Sequence, residues 1–166
     1  MNDQHIAIIH GRDMGTRVSS RILEEEIQKT ISLGFRKLNV QAFGQHGIGG
    51  RLWPDDDRPI QVTVEGPTGQ RLGSMGSPGT TIEVMGPASD DVGWHNAGAH
   101  IVIHGHAGNG VANGMAQGKV RVNGNIGARG MTMSKCYPRF ADPELWVLGS
   151  VGDYFGEFMA GGVAVV

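Results

Sequence analysis

Short runs of alternating apolar and polar residues recur along most of this chain, and each run ends in a glycine. Val62/Val64, Ile82/Val84, Ile101/Ile103, Val120/Val122 and Leu145/Val147 stand four and two positions before Gly66, Gly86, Gly105, Gly124 and Gly149. Val40/Ala42 before Gly44 extends the series, and the anchor glycines follow one another at 22, 20, 19, 19 and 25 residues. Period-two alternation marks a strand with one buried face, and its repetition at a near-constant spacing marks a solenoid. The pattern predicts a mainly β fold, a right-handed parallel β-helix with one strand per coil of about 19–20 residues. The −4 and −2 side chains should stack as two aliphatic ladders inside, with −3 and −1 outside.

Residues 1–35 carry a different period and form a predicted α/β preface to repeats over 36–166. Ile6–Ile9 is a short apolar run, and Asp13 is placed to cap a helix whose apolar positions are Val18, Ile22, Ile27 and Ile31. Gly34 is the expected stop. Arg17, Arg21, Glu24, Glu25 and Lys29 suit its wet face.

The glycines have their own order. G-x-x-G follows the anchor at Gly66/Gly69, Gly105/Gly108, Gly124/Gly127 and Gly149/Gly152, more weakly at Gly44/Gly47, and Ser89 replaces the second glycine in one coil. A small residue recurs at +7 (Gly73, Gly93, Ala112, Gly156), while Arg51 and Met131 break the rule. A later glycine (Gly79, Gly98, Gly118, Gly161) precedes the next strand, and two stretches, Trp53–Pro59 and Cys136–Pro143, lengthen their coils. Corners that turn tightly, some at positive φ, and touch the coils above and below favour glycine, so Gly127 is expected to be strained by any side chain. A β-sandwich with glycine-rich hairpins would repeat every 8–12 residues or so; the spacing here argues against it.

Composition sharpens this picture. Twenty-eight glycines in 166 residues is more than twice the average share of about 7%. A net charge of −2 supplies no bulk positive field for nucleic acid or an anionic membrane. No apolar run approaches the roughly 20 residues that span a bilayer, and the N-terminus lacks a signal-peptide pattern. With the single Cys136 unable to close an internal disulfide, a cytoplasmic location is expected.

Candidate chemistry is sparse. Gly108-Asn109-Gly110 and Gly114…Gly118-Lys119 are incomplete phosphate loops. Cys136 has no thiolate-activating histidine nearby in sequence. His100 and His104 should share the outer face of one strand, and a metal would need a third ligand such as His95. Asp90-Asp91 and Asp55-Asp56-Asp57 read as solvated loops. Trp146, outward at −3, is the best of the three tryptophans (with Trp53 and Trp94) as a partner anchor. The residues therefore assign no catalytic, cofactor-binding or metal-binding side chain.

The coils G-P-T-G-Q-R-L-G (66–73), G-P-A-S-D-D-V-G (86–93) and G-S-V-G-D-Y-F-G-E-F-M-A-G-G (149–162), with G-R-D-M-G-T-R-V-S-S-R-I (11–22) before them, resemble the glycine-repeat (GXGXG) β-helix domain of the glutamate synthase large subunit. The stand-alone form in archaeal-type split enzymes is the nearest in organisation; one of the subunits of formylmethanofuran dehydrogenase is related. The resemblance implies a non-catalytic scaffold in glutamate biosynthesis, packing an amidotransferase part against a synthase part. FMN and an iron–sulfur cluster would then lie on partner subunits, with none on this chain. Consistent with that division, the chain begins Met1-Asn2 rather than with a nucleophilic cysteine. The formylmethanofuran-type reading would require an Asp/His constellation, for which His100/His104 with Asp90/Asp91 are the candidates. The last strand, ending at Val165-Val166, is an uncharged edge expected to be covered by a partner subunit, by a second copy in a homo-oligomer through the C-terminal coil, or by further coils if the native chain continues past Val166.

Overall fold

The computed structural model describes residues 5–166; Met1 and Asn2, on which the missing-nucleophile argument rests, lie outside them. Eight strands form one parallel sheet: β1 (Ile6–His10), β4 (Lys37–Gln41), β5 (Ile60–Glu65), β6 (Thr80–Val84), β7 (Ala97–Ile103), β8 (Gln117–Val122), β9 (Glu144–Val147) and β10 (Val163–Val165). Sheet order follows chain order, which is the topology of a parallel β-solenoid with six coils between β4 and β10. A two-stranded hairpin, β2 (Arg12–Asp13) with β3 (Thr16–Arg17), and helix α1 (Ser20–Ser32) intervene between β1 and β4.

The predicted inner ladders form. Leu38, Val62, Ile82, Ile101, Val120 and Leu145 are in register in successive strands, as are Val40, Val64, Val84, Ile103, Val122 and Val147, and all are buried. Burial of each such side chain contributes about 1.5–3 kcal/mol. The first coil corrects the sequence alignment by two residues. Val40 pairs with Val64, so the residue equivalent to Gly66 is Ala42, not Gly44. A shift of two keeps the same faces, which is why Val40 and Ala42 are buried all the same. Counted from Ala42, the +7 residue of this coil is Gly49, and Arg51 no longer breaks the rule.

A third inner ladder was not visible from the strands. Ile48, Leu72, Val92 and Val111, all buried, occupy +6 of successive coils, each followed by Gly49, Gly73, Gly93 or Ala112. In the fifth coil the large–small order is reversed to Gly130-Met131. Met131 is fully buried, while Ile126 and Phe155 close over Gly130. This reversal accounts for Met131 at a position otherwise kept small.

The turns opposite the sheet follow one rule. Backbone φ is positive at +5, +7 and +9 of every coil: at 47, 49 and 51 in the first, through 71, 73 and 75, to 154, 156 and 158 in the last. Amides at +5 and +9 donate to the coil ahead, as Arg71 N–H does to Asp90 O and Met75 N–H to Trp94 O, both at about 2.8–2.9 Å. The +7 amide donates to the coil behind, as from Gly73 to Ile48 O (2.9 Å). Alternating left-handed residues aim successive N–H groups in opposite directions, and the turns thereby gain a hydrogen-bonded ladder of their own. Side chains extend it. Asp90 and Asn109 Oδ1 accept the Asn109 and Ala128 N–H groups, and His106 Nδ1 and Asn125 Oδ1 accept those of Asn125 and Ser150.

The helix closes the first coil. Its N-cap is Ser19, whose hydroxyl accepts the Ile22 N–H; Asp13, the expected cap, lies in the hairpin. The buried face is Leu23, Ile27 and Ile31. Ile22 points to solvent, 51% exposed, and Val18 precedes the helix. Gly34, at φ +91, ends it as expected, with Gly34 N–H donating to Ile31 O and Phe35 N–H to Thr30 O. Gln45 stands where later coils have the second glycine. It is fully buried and donates to Gly11 O and Val18 O (2.7 and 3.0 Å), stitching the N-terminal segment to the first coil.

Candidate functional site

Two surfaces carry the polar and aromatic side chains: the outer face of the sheet and the wall of stacked turns. On the sheet, His104 Nε2 lies 2.6 Å from Glu83 Oε1, and His104 Nδ1 lies 3.3 Å from the Asn123 amide nitrogen. Arg121 Nε donates to Asn123 Oδ1 at 3.0 Å. These residues come from three adjacent strands, β6 to β8, and from the corners that follow them, so in-register stacking alone assembles the chain of contacts. His100 shares that outer face, as its position predicts, and stands in register with Lys119. Lys119 pairs with Glu144 at 3.0 Å, and the Trp146 indole N–H donates to the same carboxylate oxygen at 2.8 Å. The indole hydrogen bond, then the ammonium, hold the Glu144 carboxyl below its usual range.

The structure therefore redistributes the sequence candidates. His104 is paired with Glu83, not with a third histidine. His95 belongs to the turn wall, where its ring lies 3.9 Å from that of Trp94. Among the described residues no group of three His, Cys, Asp or Glu is arranged to hold a metal ion. Asp90 is engaged by the Asn109 amide and Asp91 occupies a left-handed turn position, so neither joins His100 or His104. Asp56 accepts from Arg58 Nε at 2.8 Å and pairs with Arg36 at 3.1 Å. Those contacts, Arg58 first, hold its carboxyl down to about 2. Cys136 is exposed, and the Asp142 carboxylate that accepts from it pushes the thiol up, away from thiolate chemistry. Trp146 is satisfied by its own neighbours, with Lys119 Nζ 4.8 Å from the ring centroid.

Sequence reasoning missed the turn wall as a surface. Its +5 and +9 side chains point away from the core. In the last two coils they include Met133, Tyr154 and Phe158, which are 56%, 63% and 79% exposed. Tyr137 and Phe140, from the lengthened fifth coil, are exposed as well, with ring centroids 6.1 Å apart. The signal was present as aromatics inside the repeat, but assigning them a face requires the left-handed turn geometry. In the same wall, Gly114 interrupts the +9 ladder and leaves a cleft of about 260 Å³ between His95 and Met133.

No helix among the described residues is long and apolar enough to cross a membrane. Of the comparisons with known proteins, one is positive: a family model described as GXGXG motif matches residues 53–166. No curated protein and no solved structure matches the chain. The matched span runs from the loop of the first coil through β10, so the family pattern and the observed solenoid coincide over more than half of the sequence. The chain belongs to the GXGXG family, the β-helix domain found in glutamate synthase and related enzymes.

Proposed function

We propose that this chain is the non-catalytic β-helical scaffold of a glutamate synthase-type enzyme, holding an amidotransferase part and a synthase part together for glutamine-dependent formation of glutamate from 2-oxoglutarate. FMN and the iron–sulfur cluster belong, on this reading, to the partner parts. The observation that carries it is the family match over residues 53–166. The character of the molecule supports it. Its conspicuous polar side chains are used to tie one coil to the next, as with Asp90, Asn109 and His106. Four of its exposed aromatic side chains, Tyr137, Phe140, Tyr154 and Phe158, come from the last two coils.

Tyr154 and Phe158 are informative here. Each holds a left-handed backbone, φ +59 and +53, which costs an L-residue about 1–2 kcal/mol. Glycine holds the equivalent positions in the fourth coil (Gly110 and Gly114) without that cost. Neither aromatic recovers it by burial within the chain, and an exposed cluster of this kind suits a protein partner. We assign the docking of the partner parts to this wall. The outer edge of β10, which pairs only with β9 among the described residues, carries unpaired backbone groups that can take a further strand, whether from this chain, a partner or a second copy.

Co-expression with the amidotransferase and FMN/iron–sulfur synthase parts tests the reading. A stable complex by light scattering is expected, and Phe158→Glu should dissociate it without lowering the melting temperature of the isolated chain. A complex indifferent to Phe158→Glu would overturn the assignment of the docking wall, and no complex at all would overturn the scaffold reading.

A further inference from the structure

The cleft at Gly114 is not explained by a scaffold. In the +9 ladder the other five coils carry Arg51, Met75, His95, Met133 and Phe158, and Gly114 alone lacks a side chain. The space is partly claimed by His95: a Cβ at Gly114 would lie 2.8 Å from both Cδ2 and Nε2 of the imidazole. The ring is held in that position by its contact with Trp94. Beyond it the cleft is bounded by Met133 on the next coil, by Asn113, and by Lys135 and Tyr137 at the start of the lengthened loop. The volume of about 260 Å³ falls just under the roughly 300–1,000 Å³ of sites for drug-sized ligands, which suits a ligand of metabolite size.

The chemistry of the lining has one sign. None of the residues around the cleft is acidic. The ammonium of Lys135, the carboxamide of Asn113, the phenol of Tyr137 and the imidazole of His95 all supply hydrogen-bond donors, and Lys135 has no salt-bridge partner among the described residues. Met133 and the faces of the aromatic rings supply the apolar part. Donors lining a cleft beside an apolar wall suit an anionic head on an apolar body. We propose that this cleft binds a small organic anion, a carboxylate or phosphate ester with a compact apolar body, with Lys135 as its charge partner and the His95 ring as its wall. This goes beyond the scaffold reading and does not depend on it.

Titration of the full 15N-labelled chain with sodium benzoate, phenyl phosphate and neutral benzamide, followed by amide chemical shifts, tests the proposal. Saturable shifts confined to residues near 113–116 and 133–137 are expected with at least one anion and not with benzamide. The tighter of the two anions identifies whether carboxylate or phosphate is the head. Lys135→Glu, on an exposed loop, should weaken binding roughly tenfold or more, the scale of one charge-assisted hydrogen bond. Gly114→Asn should abolish binding by filling the cleft, with shifts outside it confined to the neighbourhood of the His95 and Trp94 rings that must move aside, since Asn tolerates a left-handed φ. Equal binding of benzamide and benzoate, no saturable shift with either anion, or an affinity unaltered by Lys135→Glu would overturn it.

Discussion

Gly47 and Gly73 share a backbone conformation and differ in what surrounds them, so together they separate two roles that glycine has in this molecule. Both have positive φ, +73 and +65. A Cβ at Gly47 would meet nothing within 4 Å, whereas one at Gly73 would lie 2.5 Å from Ile101 Cδ1. Gly47→Ala should therefore cost about 1 kcal/mol, from backbone strain alone. Gly73→Ala adds overpacking to that strain and should cost about 2–4 kcal/mol; denaturant unfolding of the two variants measures the difference. Gly127 shows a third situation. Its φ is not in the left-handed region, contrary to what the repeat suggested. It is glycine because a Cβ would collide with the Asn109 carboxamide oxygen and lie 3.0 Å from the Asn109 amide nitrogen. Gly127→Val should still cost about 1–3 kcal/mol, but from close approach of coils. His104→Ala, on the exposed sheet face, should stay within about 0.5–1 kcal/mol, and a ranking opposite to Gly127→Val in thermal melts would contradict the observed packing.

At the scale of elements, period-two alternation gave the strands their faces directly, because the inward side chains of a parallel sheet stack on their equivalents one coil away. It gave the register of five coils out of six. The first failed because Gly44, at φ +78, imitates an anchor two residues late. The helix follows from its period and its Gly34 stop, but Asp13 lies six residues before the observed cap, Ser19, because the intervening β2–β3 hairpin has no strand-length pattern. Leu23→Ala should cost about 2–5 kcal/mol and Ile22→Ala about 0.5 or less, as urea unfolding will show. The +5, +7 and +9 left-handed turns were hidden altogether, since only some of them are glycine: Arg71, Asp91, His95, Met133 and others hold the same conformation. Their preference is set by the hydrogen bonds of neighbouring coils, a tertiary cause that local sequence does not carry. The loop that lengthens the first coil makes a pH prediction. Asp56 is held at about 2 by Arg58 and Arg36, below the unfolded carboxyl near 3.9. Its stabilising contribution is thus fully present above about pH 4–5 and is lost as pH falls toward 2. The stability difference between parent and Asp56→Asn should be flat near neutrality and shrink over that acid window.

For the whole molecule, a stack of coils tied to one another by side chains such as Asp90, His106, Glu83 and Lys119 is consistent with the proposed scaffold role. The fold and family were legible because repetition multiplies a weak local signal across the chain. The aromatic wall and the Gly114 cleft were not, because they depend on which way a turn residue points. If the scaffold account holds, partner contacts at β10 should respond to Val165→Lys, with the self-associated or complexed fraction falling in light scattering. The most direct measurement is glutamine-dependent glutamate synthesis from 2-oxoglutarate by the amidotransferase and synthase parts, with and without this chain. The account predicts that the chain alone turns over no glutamine and retains no flavin through purification, yet that adding it restores coupled synthesis to partners that are poorly coupled in its absence. Coupled synthesis at the same rate without the chain, or glutaminase turnover by the chain itself, would contradict it.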